Sequence, residues 1–115
     1  MEITVTRQNN IIIIALEGNL DATTADQVAQ TISTELGQPN ESASNMVIDL
    51  GGIEFMSSAG LRTILAAAQD TRSAGGDLRL AAADKNIKRV LDFSGFTKIM
   101  KYYDSVADAV ASFDA

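Results

Sequence analysis

Met46-Val47-Ile48-Asp49-Leu50-Gly51-Gly52-Ile53-Glu54-Phe55-Met56-Ser57-Ser58-Ala59-Gly60-Leu61 is the stretch whose reading decides the fold. Its first five residues form a short apolar run, the pattern of a buried strand. Gly51-Gly52 reads as a turn. Beyond Ser57-Ser58, the residues Leu61, Ile64, Leu65 and Ala68 recur at helical spacing, with Arg62, Gln69, Asp70 and Arg72 on the opposite side. A strand thus runs through a serine pair into an amphipathic helix.

The same alternation continues in both directions. Upstream, Glu2 to Gln8 alternates apolar Ile3 and Val5 with polar neighbours, a half-exposed strand. Asn9-Asn10 signals a turn, and Ile11 to Leu16 is a β-branched run suited to a strand covered on both faces, closed by Gly18. Ala25, Val28, Ala29, Ile32 and Leu36 mark the first helix, with Asp21, Thr23 and Thr24 as candidate caps and Gly37 as its end. A polar loop from Gln38 to Asn45 carries the single proline.

Downstream, Gly75-Gly76 stops the second helix and Leu78 to Ala82 reads as a strand. Ile87, Val90 and Leu91 mark a third helix, broken at Gly95-Phe96. Met100 to Tyr103 reads as a short last strand, and Val106, Ala109 and Val110 mark a C-terminal helix. Strands separated by helices imply a mostly parallel sheet, while the opening pair can run antiparallel through its short turn. The prediction is one α/β domain over residues 1–115, with a mixed, mostly parallel sheet of four to five strands and about four packed helices.

Composition narrows the chemistry. The 115 residues are 46% hydrophobic and 21% charged, the balance of a folded domain. There is neither cysteine nor histidine, which removes disulfides, thiol catalysis, a serine–histidine triad and the usual zinc sites. No phosphate loop is present, and the acidic residues match no calcium loop. Ile11 to Gly18 offers only Glu17, and Asp49 lies inside an apolar run, so the acidic cluster of a phospho-aspartate receiver is missing. The net charge of −6 opposes nucleic acid and anionic membranes. No apolar run approaches the ~20 residues of a membrane span, and the N-terminus lacks a signal-peptide layout. A non-enzymatic cytoplasmic protein with a protein partner, and with no cofactor or metal, is expected.

The residues of interest are Ser57 and Ser58. In an open α/β sheet, functional groups collect beyond the carboxyl ends of the strands, where helices begin. A helix start has free amide hydrogens and the positive end of a dipole, so it accommodates an added phosphate. Serine there also serves as a plain helix cap. Gly60, in the first turn, permits close approach of a partner backbone, or serves packing. Arg62 lies one turn beyond Ser58, placed to reach a phosphate or a partner carboxylate, or to be solvated.

Phe55-Met56-Ser57-Ser58-Ala59-Gly60-Leu61, following Val47-Ile48-Asp49-Leu50, resembles the signature of the STAS domain, the fold of bacterial anti-sigma factor antagonists. Gly18-Asn19-Leu20-Asp21 is similar to the family's entry into its first helix. Gly76-x-Leu78-x-Leu80, Leu91, Gly95-Phe96 and the Ser105 to Val110 stretch fall in the family's order. The resemblance implies an antagonist that binds an ATP-binding serine kinase acting as an anti-sigma factor. It implies phosphorylation by that kinase at Ser58, with Ser57 as the alternative, and dephosphorylation by a PP2C-type phosphatase. The partner surface implied is Asp21, Ser57, Ser58, Ala59, Gly60 and Arg62. Well-known members carry aspartate where this chain has Ser57, and a hydroxyl residue where it has Ala59. STAS domains also serve as subunits of lipid-transport ABC complexes and as tails of anion transporters, a second direction for the same fold.

Overall fold

Four consecutive isoleucines, Ile11 to Ile14, are all buried, and their side chains divide between the two faces of one strand. Ile12 and Ile14 enter one apolar cluster, Ile11 and Ile13 another. In the computed structural model, which describes residues 1–37 and 45–114, this strand sits second in a five-stranded sheet. The strands are β1 (Glu2–Gln8), β2 (Ile11–Leu20), β3 (Met46–Met56), β4 (Leu78–Ala81) and β5 (Tyr102–Tyr103), in spatial order 1-2-3-4-5. β1 pairs antiparallel with β2, and every later pairing is parallel. The turn between β1 and β2 is Asn9-Asn10, both at positive φ (54° and 64°), the conformation that matches a two-residue hairpin to strand twist.

The helices are α1 (Ala25–Leu36), α2 (Ser58–Ser73), α3 (Lys85–Phe93), α4 (Phe96–Ile99) and α5 (Val106–Ala111), followed by a 3-10 turn over Ser112–Asp114. A sheet whose strands follow sequence order, linked by crossovers of one hand, places the linking helices on one face. Val28 and Ile32 of α1, Ile64 and Ala68 of α2, Ile87 and Leu91 of α3 and Phe96 of α4 share one core with Ile12, Ile14, Ile48 and Leu80. The opposite face is covered by Ala109 and Val110 of α5, which close over Ile11, Ile13, Val47 and Ala81. None of the helices of the described residues is long and apolar enough to cross a membrane.

Several boundaries differ from the sequence reading; β4 stops at Ala81 and β5 starts only at Tyr102. Gly18 does not close β2, which continues to Leu20. Its φ of 114° lies next to a register shift against β3. Gly51-Gly52 is not a turn, because β3 runs unbroken from Met46 to Met56. A Cβ on Gly52 would stand 2.5 Å from Glu17 Cγ and 2.8 Å from the Leu16 carbonyl oxygen, so the glycine serves close approach of β2 at a bulge. Gly95 ends α3 as expected, at φ 80°, but the chain re-enters a helical turn at once and buries Phe96. The predicted loop from Gln38 lies outside the described residues up to Asn45, whose side-chain oxygen accepts the Asp77 amide at 3.0 Å.

Extending β2 and β3 carries both strands to the point where α2 begins. Replacement Gly52→Ala is expected to lower unfolding stability by ~2 kcal/mol, the order of an overpacked contact. Chemical denaturation measures it, and an unchanged midpoint would contradict the close approach.

Candidate functional site

The site begins where β3 ends. Met56 is buried and anchors the strand end. Ser57 then leaves the strand in an extended conformation and becomes the N-cap of α2. Its amide donates to the Leu20 carbonyl at 3.0 Å, and its own carbonyl accepts the Leu61 amide at 3.0 Å. Its Oγ accepts the Gly60 amide at 3.3 Å, which satisfies one of the helix's unpaired donors. Ser57 is thus half-buried and has its hydroxyl engaged.

Ser58 differs from its neighbour. It is the first residue of α2, it is exposed, and its hydroxyl makes no hydrogen bond among the described residues. The amide hydrogens of Ser58 and Ala59 likewise have no acceptor among those residues. No acidic side chain occupies the first turn, so the positive end of the α2 dipole faces outward uncompensated. Ala59 is half-buried, and its carbonyl accepts the Thr63 hydroxyl at 3.1 Å.

Gly60 is buried, and the reason is steric. A Cβ there would lie 2.5 Å from the Leu20 carbonyl oxygen and 2.8 Å from Leu20 Cγ. The backbone that Gly60 admits so closely is the chain's own. Leu20 therefore receives the α2 start twice, through the Ser57 hydrogen bond and through this contact.

The next residue is Asp21, and the contact at Leu20 brings it to the same end of the sheet as the serines. Asp21 does not cap α1. Thr24 holds that position, without a side-chain cap bond. Instead the Asp21 carboxylate accepts the Thr23 amide at 2.9 Å and the Thr23 hydroxyl at 2.6 Å. Those two bonds, the hydroxyl foremost, hold its pKa below the usual carboxylate value. Thr24 Oγ1 donates to the Asn19 carbonyl at 2.7 Å and fastens the turn to the end of β2. Arg62 is exposed on α2 and forms no ion pair among the described residues.

Sequence reading passed over two features. One is the Leu20 carbonyl, a backbone atom with no residue signature. The other is the exposure of Phe55, 54% accessible two residues before Ser57. Ile53 and Met56 both face the core, a spacing of three instead of two, which is the mark of the bulge that turns Phe55 outward.

The profile of the STAS domain matches residues 2–109. The chain belongs to the STAS domain family. Its sequence is 27% identical over 114 residues to the anti-sigma F factor antagonist of Paenibacillus polymyxa, covering 99% of this chain and 96% of that one. The crystal structure of an anti-sigma factor antagonist from Mycobacterium paratuberculosis superposes with a TM-score of 0.87 at 23% identity, over 99% of this chain and 94% of that chain. SpoIIAA, described as a Bacillus cell fate determinant and solved in its phosphorylated form, superposes with a TM-score of 0.72 at 20% identity, over 97% and 99%. These solved structures share the STAS fold with this chain.

Within this STAS domain the two serines separate by stability. Ser57→Ala is expected to cost ~1 kcal/mol through loss of the cap, and Ser58→Ala to stay within ~0.5 kcal/mol of wild type, as for a free surface group. Urea titration of both variants checks this; equal losses would place the cap elsewhere. For Asp21, a depressed folded pKa means its stabilising contribution is present above the ordinary carboxylate range and fades as pH falls through the folded value. Thr23→Val is expected to raise the Asp21 pKa toward the ordinary carboxylate range, read from carboxyl carbon shifts in an NMR titration; an unmoved pKa would assign the depression to another group.

Proposed function

We propose that the chain is a cytoplasmic, non-enzymatic anti-sigma factor antagonist, switched off by phosphorylation of Ser58. The observation that carries this reading is the division of labour between the serines: Ser57 is held as the cap, while Ser58 offers an exposed and unbonded hydroxyl one residue further on. The relatives' names support the role. In the proposed cycle, an ATP-binding anti-sigma serine kinase docks on the end of the sheet formed by Asp21, Ser57, Ser58, Ala59, Gly60 and Arg62. It transfers the γ-phosphoryl group of ATP to Ser58 Oγ, releasing ADP and the hydroxyl proton. A PP2C-type phosphatase hydrolyses the ester and restores the free form.

Release follows from charge and hydration. A phosphoserine brings about −1.5 to −2 charges and three acceptor oxygens. The free amides of Ser58 and Ala59 and the α2 dipole provide a local resting place, so α2 need not unfold. A partner packed over Phe55 and Ser58 must instead strip water from a dianion, and that penalty falls on the complex alone. Ser57 matters here because it caps without charge, where an aspartate would place a carboxylate beside the incoming phosphate.

The test is a pull-down from lysate of the source organism with wild type, Ser58→Ala and Ser58→Glu. Wild type and Ser58→Ala are expected to retain an ATP-binding serine kinase, and Ser58→Glu to lose it. Equal recovery of a transporter ATPase by all three proteins would overturn the proposal and leave Ser58 as an ordinary first-turn residue.

A further inference from the structure

The chain has a second unusual surface at the other end of the sheet. α3 starts after β4 and runs back along the sheet for nine residues, about 13 Å at helical rise. Its last residue, Phe93, is 89% exposed. Six residues later Ile99, at the end of α4, is 50% exposed. Within the described residues only Phe55 shares this degree of exposure among large apolar side chains. The corner is firmly held. Arg72, near the end of α2, donates to the Ile99 carbonyl at 2.8 Å, and the Thr97 hydroxyl donates to Asp92 at 2.8 Å. Phe93 and Ile99 are therefore presented on a fixed frame.

Charge around this corner is the reverse of the molecule's. The acids nearby are already paired: Asp92 with Lys88 at 3.0 Å, and Asp77 with Arg72 and Arg79, each at 3.4 Å. Arg89, one turn before Phe93, is exposed and forms no ion pair among the described residues, and the same holds for Lys98 and Lys101. Two large apolar side chains and three unpaired cations thus share one corner of a chain whose net charge is −6.

We propose that this α3–α4 corner is a second docking surface, taking an acidic protein segment that carries apolar side chains among its carboxylates. Charge complementarity selects that occupant. A second copy or an extended anionic bilayer would face the rest of this −6 chain as well, whereas a short segment lies within a screening length, about 8–10 Å, of the corner's cations alone. An acidic segment gains from the local cations, while Phe93 and Ile99 supply the apolar anchors that dominate such contacts. The surface lies at the amino ends of the parallel strands, away from Ser58, and does not depend on the proposal for that residue.

The experiment is an amide NMR titration of the whole chain with a short synthetic peptide of glutamate and leucine at helical spacing. The same peptide with lysine for glutamate, and vesicles of phosphatidylserine and phosphatidylcholine, are titrated in parallel. Saturable shifts confined to Phe93–Lys101 are expected with the acidic peptide. Affinity is expected to fall ~tenfold in Phe93→Ser and to weaken with salt. Phe93→Ser alters an exposed residue, and an unchanged spectrum elsewhere verifies its fold. Absence of shifts at the corner, equal binding of the lysine peptide, or stronger binding to vesicles each overturns the proposal.

Discussion

The carbonyl of Leu20 holds the working end of this domain together. It terminates β2, accepts the amide of Ser57, and lies where the side chain of any residue larger than glycine at position 60 would have to go. Through that one group, the end of one strand fixes the start of α2 against the start of the turn to α1. The contact requires β2 and β3 to be long enough to reach it. β3 keeps pace with β2 through two register shifts, and at the first of them Gly52 lets the backbones approach too closely for a Cβ. Asp21 and Ser58 lie 37 positions apart in sequence, and they share a surface because Leu20 joins their elements.

The layered fold was legible because its signals are periodic. Ile11 to Ile14 read as a strand covered twice, and the two clusters divide those residues as alternation requires. The Asn9-Asn10 hairpin and the stop at Gly95 were legible for a different reason: each needs positive φ, which few residues adopt without cost. Gly51-Gly52 misled because glycine marks both turns and bulges, and only the partner strand distinguishes them. α4 went unseen because four residues span about one turn, too short to show a period.

The site was legible in part. Ser57, Ser58, Asp21 and Gly60 stood out as residue types at a helix start, and the structure places all four at one end of the sheet. The roles within the group were not legible. Which serine caps the helix depends on a single backbone dihedral at Ser57, and Asp21 spends its carboxylate on Thr23 instead of on α1. Ser57 caps α2 without the charge that an aspartate cap would bring.

Those differences converge on one question of chemistry, namely which hydroxyl the proposed phosphorylation reaches. The most direct measurement is to incubate the purified chain with ATP and the captured kinase, then locate the modification by fragmentation of the peptide spanning Ile53 to Arg62. The account predicts phosphate on Ser58 alone, with Ser57 unmodified, because only Ser58 presents a free hydroxyl. Phosphate on Ser57, or an even distribution over both serines, would contradict it.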